Sequence, residues 1–374
     1  MRNRIIGFGL AAVLLALLCA PMASAFPSYA TSVIVYGATL TSLSPYWKNG
    51  GGGDASDWNL FFDTSTAAPT LKMKNAVLGT LNASRYLVQA NGDIVVELDG
   101  NNVLTYNGTM PGAIVGLGSS GSILIRDGAG GGTGSLSIAI VHSWPSSNTI
   151  GISVYGDELL IDSGIIDVSV YDSHQAVALY SFDNINVRGG NLAALAWGDG
   201  NLVCTIACYM FRQSGGTVAS TVNGTDVETT ALFFSKAQFT GGYGLFSAVE
   251  IGFGALWDTP FPGEFYFTGG HVVFSGGDCA LRFNTDSLIN PDVAGDVYVS
   301  EFPSGLDKFL WNSTMDPLAA NNSVPAVYGY VEMIGLASVP QTGDESVPWV
   351  WFFSGLLAAV CAAGVFLVLR RRRA

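Results

Sequence analysis

Between about residue 90 and residue 300, apolar and polar positions alternate in short runs that end at glycine. Alternation with period two puts one set of side chains on each face of a strand, so the pattern predicts β-strands and no helices. The glycines recur at a fixed step. Arg188-Gly189-Gly190, Ser214-Gly215-Gly216, Thr240-Gly241-Gly242 and Thr268-Gly269-Gly270 fill one slot, and Asp162-Ser163-Gly164 fits it. The last glycines of these triplets are 26, 26, 26 and 28 residues apart. Asp99-Gly100 and Asp127-Gly128 read as degenerate upstream copies, with an insertion around Gly130 to Pro145. Ile161, Val187, Gln213, Phe239 and Phe267 precede the slot, and Ile166, Leu192, Val218, Gly244 and Val272 follow it. Only Gln213 and Gly244 are not large and apolar.

A period near 26 with strand, glycine bend and strand predicts an all-β fold, a right-handed parallel β-helix. Each repeat is one coil, and inward side chains stack from coil to coil. Propeller blades of about 40–50 residues do not match this period. Glycine belongs at the corner because the bend needs positive φ or leaves no room for a Cβ. The expected organisation is a signal peptide at 1–25, an N-terminal β cap region at 26–90, and coils over 91–300. A C-terminal cap and short spacer at 301–338 and an export-related tail at 339–374 complete it. Gly295 to Val299 reads as a last coil, Phe309 to Trp311 as part of the cap, and 252–266 as a loop.

The ends read as addresses. Arg2 and Arg4 precede an uncharged apolar run, and Ala23 and Ala25 supply the small residues a signal peptidase accepts. Trp349 to Leu369 is uncharged and long enough to span a bilayer as a helix, and Arg370 to Arg373 follow it at once. Just upstream stand Val339, Pro340, Gln341, Thr342 and Gly343. Pentapeptide, apolar span and basic tail together resemble a Gram-positive LPxTG-like cell-wall sorting signal, with Val339 where that signal usually has Leu. The resemblance implies a sortase as partner. It also implies cleavage between Thr342 and Gly343, and covalent attachment of Thr342 to peptidoglycan. Tyr46-Trp47-Lys48-Asn49-Gly50, Trp58 to Asp63 and Leu71 to Ala76 resemble the N-terminal part of a group of secreted bacterial β-helix proteins. That group brings no activity with it.

Charge narrows the partners. Charged residues make up 12% of the chain, half the roughly 25% of ordinary soluble proteins. Without the two ends, sixteen basic residues become ten and 29 acidic residues become 27, a net charge of −17. Such a chain does not bind nucleic acid, which needs clustered Lys and Arg. Three cysteines remain between the ends, Cys204, Cys208 and Cys279. With three histidines in the whole chain they do not make a zinc site, and buried free thiols are the expectation. No cofactor and no metal are expected.

Catalytic chemistry is hard to find. A glycosidase needs two facing carboxylates. Asn284-Thr285-Asp286 matches one letter motif of the pectin hydrolases, but the chain has no Asp-Asp pair, no Gly-His-Gly and no Arg-Ile-Lys. Asp157, Asp162, Asp167, Asp172 and Asp183 form the densest acidic group, and His142 and His174 show no partner in the pattern. No catalytic residue is assigned. Trp257, Asp258 and Tyr266 are the candidate ligand contacts, rings and a carboxylate suited to a sugar face and its hydroxyls. The expectation is a wall-anchored surface module, adhesive or carbohydrate-binding, that meets a glycan or host surface without catalysis. A surface polysaccharide lyase or hydrolase and a structural envelope protein are the alternatives.

Overall fold

The computed structural model describes residues 29–335 except 51, 80–85, 110–111, 129–132, 145–147, 173, 199–201, 225–228, 256–263, 283–291, 313–314 and 320–326. The chain divides into two compact units, 1–338 and 339–374. Ala23 and Ala25 of the expected signal peptide, the pentapeptide Val339 to Gly343 and the apolar run 349–369 lie outside the described residues, as do Trp257 and Asp258. No helix among the described residues is long and apolar enough to cross a membrane.

The described chain is all β, stacked parallel coils forming a β-solenoid of about six turns. Each turn visits three strands. One set runs Tyr86–Ala90, Ile114–Ser119, Asn148–Val154, Gln175–Ser181, Leu202–Ala207, Thr229–Phe234, Ile251–Ala255 and Cys279–Arg282, each paired parallel to the next. A short-strand set follows: Ile94–Asp99, Ile123–Asp127, Glu158–Ile161, Asn184–Val187 and Met210–Gln213. Then come the long strands Asn101–Gly108, Ser135–His142, Ile165–Asp172, Asn191–Gly198 and Thr217–Gly224, paired residue for residue over their whole length. In the last two turns short and long strands fuse into Lys236–Ala248 and Glu264–Gly276, with a register shift at Thr240 to Tyr243.

The corner between short and long strands is the glycine column. Gly100, Gly164, Gly190, Gly216, Gly242 and Gly270 all have positive φ, between 62° and 97°. Successive corners touch: a Cβ on Gly190 would lie 2.5 Å from the carbonyl oxygen of Gly164, and one on Gly216 would lie 2.6 Å from that of Gly190. Alanine would therefore be wrong here by conformation and by volume. One upstream corner differs from expectation. The long strand restarts at Ser135, directly over Asn101, so Gly134 occupies the corner and Gly128 does not. The insertion lies before the corner and carries the chain past Gly128.

All ten residues flanking the glycine slots are buried, including the two exceptions to the apolar rule. Gln213 and Gly244 compensate each other. Gln213 Nε2 donates to the Tyr243 carbonyl at 2.9 Å, while a Cβ on Gly244 would lie 2.9 Å from Gln213 Oε1. The missing side chain makes room for the amide. Toward the C-terminal end the core turns aromatic, with Phe211, Phe239, Phe246, Phe265, Phe267 and Phe274 buried together.

Antiparallel strands flank the coils. At the N-terminal end Val33–Val35 pairs antiparallel with both Ala38–Leu40 and Tyr86–Ala90. Leu60–Asp63 lies antiparallel to Thr70–Lys74, which itself stacks parallel on Ile94–Asp99. At the other end Tyr330–Gly335 pairs antiparallel with both Glu264–Gly276 and Gly295–Ser300. Gly295–Ser300 is therefore no coil: its described partners, Tyr330–Gly335 and Phe309–Leu310, both run antiparallel to it. The coil path continues only as far as Asp292–Val293, which pairs parallel with Tyr266 and Phe267.

Candidate functional site

The short-strand face builds a row of outward side chains, one per coil. Leu160, Asn186, Arg212, Gln238 and Tyr266 are register partners in succession, so neighbours stand about 4.8 Å apart along the stack. A second row on the same face runs Glu158, Asn184, Met210, Lys236 and Glu264. Tyr266 is 48% exposed between buried Phe265 and Phe267, as strand alternation requires. This corrects the two ends of the loop expected over 252–266, whose centre, 256–263, lies outside the described residues. Ile251–Ala255 and Glu264–Gly276 are strands, and period-two burial within the aromatic run, not a flexible loop, turns the Tyr266 ring outward.

The polar groups around this ring are fixed. Lys236 and Glu264 form an ion pair at 2.8 Å, and Asn186 donates its amide to Glu158. Asp183, beside this face, has its pKa raised by burial and by Asp157, against the pull of Arg212. The surface thus offers the Tyr266 ring, the Gln238 amide and the Arg212 guanidinium in line, whereas Asn186 is buried and its amide is taken by Glu158. Its carboxylates Glu158 and Glu264 are already bonded to neighbours, not held across an open gap. Among the described residues no group of three His, Cys, Asp or Glu could hold a metal ion. The acidic residues grouped by sequence disperse: Asp172 is buried, Asp167 stands on the long-strand face, and Asp162 is exposed before the corner. Asn284 and Asp286 lie outside the described residues.

Two histidine clusters appear that the sequence pattern did not show. His142 Nδ1 lies 3.0 Å from both Thr149 Oγ1 and Asp172 Oδ2, and the Thr149 hydroxyl donates to the same carboxylate oxygen. All three side chains are completely buried. Tyr106 packs edge-on against the imidazole at 5.7 Å. Hydroxyl, imidazole and carboxylate are the parts of a nucleophilic relay, yet a substrate carbonyl has no access to them. The cluster ties two coils together. His174, the other unassigned histidine, donates its backbone N–H to Asp172 Oδ1 at 2.7 Å.

The second cluster surrounds Glu332. His271 Nε2 lies 2.7 Å from one carboxylate oxygen. Lys308 Nζ and the Tyr330 hydroxyl donate to the other. Burial by itself would raise the Glu332 pKa, but the bonds and charges of His271 and Lys308 outweigh it and hold the carboxyl at about 2. Burial and then the Glu332 charge push the Tyr330 phenol far up. The same pair of causes raises Tyr243, whose ring meets His271 edge-on at 5.0 Å. His271 follows the Gly269-Gly270 corner, and its partner comes from a strand 61 residues later.

Cys204, Cys208 and Cys279 are buried and form no disulfide. Cys208 lies in the main core and Cys204 in a separate apolar cluster with Val115, Ile150 and Val177. Burial pushes the Cys204 thiol up to about 12 and the Cys208 thiol well above its ordinary value.

The chain matches no protein-family model, no curated protein and no solved structure.

Proposed function

We propose that this chain is an exported β-solenoid, anchored to the cell wall, that binds a polysaccharide along its short-strand face without cleaving it. The observation that carries the binding reading is the row Arg212, Gln238 and Tyr266, which repeats at the coil spacing. An extended sugar chain advances by a similar length per residue. A pyranose face stacks on Tyr266, and its hydroxyls meet the Gln238 amide and the Arg212 guanidinium. The coil is taken as right-handed, the sense that almost all crossovers between parallel strands adopt.

The anchoring reading rests on the sequence alone. A signal peptidase cuts after Ala25. A sortase then recognises Val339-Pro340-Gln341-Thr342-Gly343 and joins Thr342 to peptidoglycan, the span at 349–369 holding the precursor until then. The substitution Thr342→Ala should leave the protein in the membrane fraction; wall linkage at the native level would overturn this part.

The binding reading is tested by passing the mature chain over a panel of immobilised polysaccharides while weighing the soluble products. Retention with intact polymer is expected, and Tyr266→Ala should weaken it about tenfold, or roughly 1.4 kcal/mol. Shortened products would replace this reading by a lyase or hydrolase. Neither retention nor products would leave a structural envelope role.

A further inference from the structure

Five large apolar side chains stand exposed within fourteen residues of the C-terminal hairpin: Phe302, Leu306, Phe309, Leu310 and Met315. Leu306 is 86% exposed and Phe302 60%. No other stretch of that length among the described residues carries as many. Scattered surface hydrophobics are ordinary, whereas a contiguous patch marks an interaction surface.

The hairpin is held rigidly while it presents these side chains. The Gly305 N–H donates to the Phe302 carbonyl at 3.1 Å, closing a tight turn between Phe302 and Leu306. Gly305 has φ +62° and lies against the Tyr330 ring, 2.7 Å from a Cβ placed there. Lys308 is tied to Glu332. The Trp311 N–H returns to the Val297 carbonyl at 2.8 Å, and its ring packs on the core. Phe309 meets the buried Tyr328 ring edge-on at 6.2 Å, while Phe302 and Leu306 stay 60% and 86% exposed.

We infer that, in the precursor before the sorting step, this hairpin seats its apolar tip in the interfacial layer of a lipid bilayer. The inference depends on the membrane span proposed above. The body's last strand ends at Gly335 and the uncharged run begins at Trp349. The thirteen intervening residues reach at most about 45 Å, so the body stays within one molecular diameter of the bilayer. Charge selects the lipid. Glu301, Asp307 and Asp316 flank the tip, and the nearby cation, Lys308, is engaged by Glu332, so a zwitterionic surface suits it better than an anionic one. A second copy of the hairpin would set the same carboxylates against each other.

The test uses the full chain in phosphatidylcholine nanodiscs, carrying Cys19→Ala and Cys361→Ala. A fluorophore is attached through Leu306→Cys or, as control, through Leu43→Cys, a site 95% exposed in the N-terminal region. Both positions are too exposed to disturb folding, and the native thiols that remain are buried. Nitroxide-bearing lipids should quench the label at 306 several-fold more than the label at 43. Equal quenching in a chain that resists alkaline washing overturns this inference alone. A chain that washes off overturns the span and this inference with it. Pyrene labels at 306 that form excimers between chains, without lipid quenching, would assign the patch to a second copy instead.

Discussion

Gly216 shows how much a single hydrogen atom decides in this molecule. It needs positive φ, and the corner above it leaves no space for a methyl group. Gly37 also has positive φ, at +83°, but a Cβ there meets nothing within 4 Å. Gly37→Ala should therefore cost only the conformational strain, about 1 kcal/mol. Gly216→Ala should cost clearly more, about 3 kcal/mol. Urea midpoints at constant m-value would separate them, and equal losses would show that the column is not close-packed. Gln213 and Gly244 give a second test. The penalty of Gly244→Ala should fall by about 1 kcal/mol when Gln213→Ala is already present, read as a double-mutant cycle. These corner and core residues were legible in the sequence because glycine has a local reason to recur. His142 and Asp172 were not, and the cause is specific. Counted from the true corners Gly100, Gly134, Gly164, Gly190 and Gly216, the residue eight positions on is Gly108, His142, Asp172, Gly198 or Gly224. Taking Gly128 as the corner shifts His142 out of that row and hides its stacking on Asp172.

Strands are tied across coils by a few polar groups, and these ties carry the element-scale predictions. Asp172→Ala removes the acceptor shared by His142 and Thr149 and should cost about 3 kcal/mol, as removing one member of a buried pair does. Thr149→Val should cost less, about 1–2 kcal/mol. Thermal melts of both variants decide the order, and a larger loss from Thr149→Val would sink it. The strand Tyr330–Gly335 depends on Glu332. Its carboxyl is held at about 2 against an ordinary 4.5. A depressed acid stabilises the fold fully above its unfolded pKa and loses that contribution as pH falls toward the folded value. Up to about 3 kcal/mol is at stake here. Amide protection in 330–335 should therefore fade between about pH 4.5 and pH 2, and Glu332→Gln should flatten that dependence. No signal in the chain before 300 announces this strand. Its partners at His271 and Gly295–Ser300 are distant in sequence and antiparallel, outside the repeat that makes the coils readable.

At the scale of the whole molecule, a solenoid is only as soluble as its ends. Tyr330–Gly335 covers the last long strand, Glu264–Gly276. A chain ended after residue 326 would expose that edge, and open edges recruit other chains. Light scattering should show concentration-dependent association of the truncated protein, while a monodisperse monomer would show that the cap is dispensable. The glycine column carries a consequence of another kind. Because each corner rests directly on the last, an insertion of a few residues between corners throws every later contact out of step unless the chain returns to the same register, as it does at Ser135 over Asn101. A duplicated block from Ile165 to Gly190 instead reproduces the spacing of 26 residues and adds one floor to the stack. Proteins of this construction should therefore vary in length by whole storeys, and their reach is counted rather than continuous.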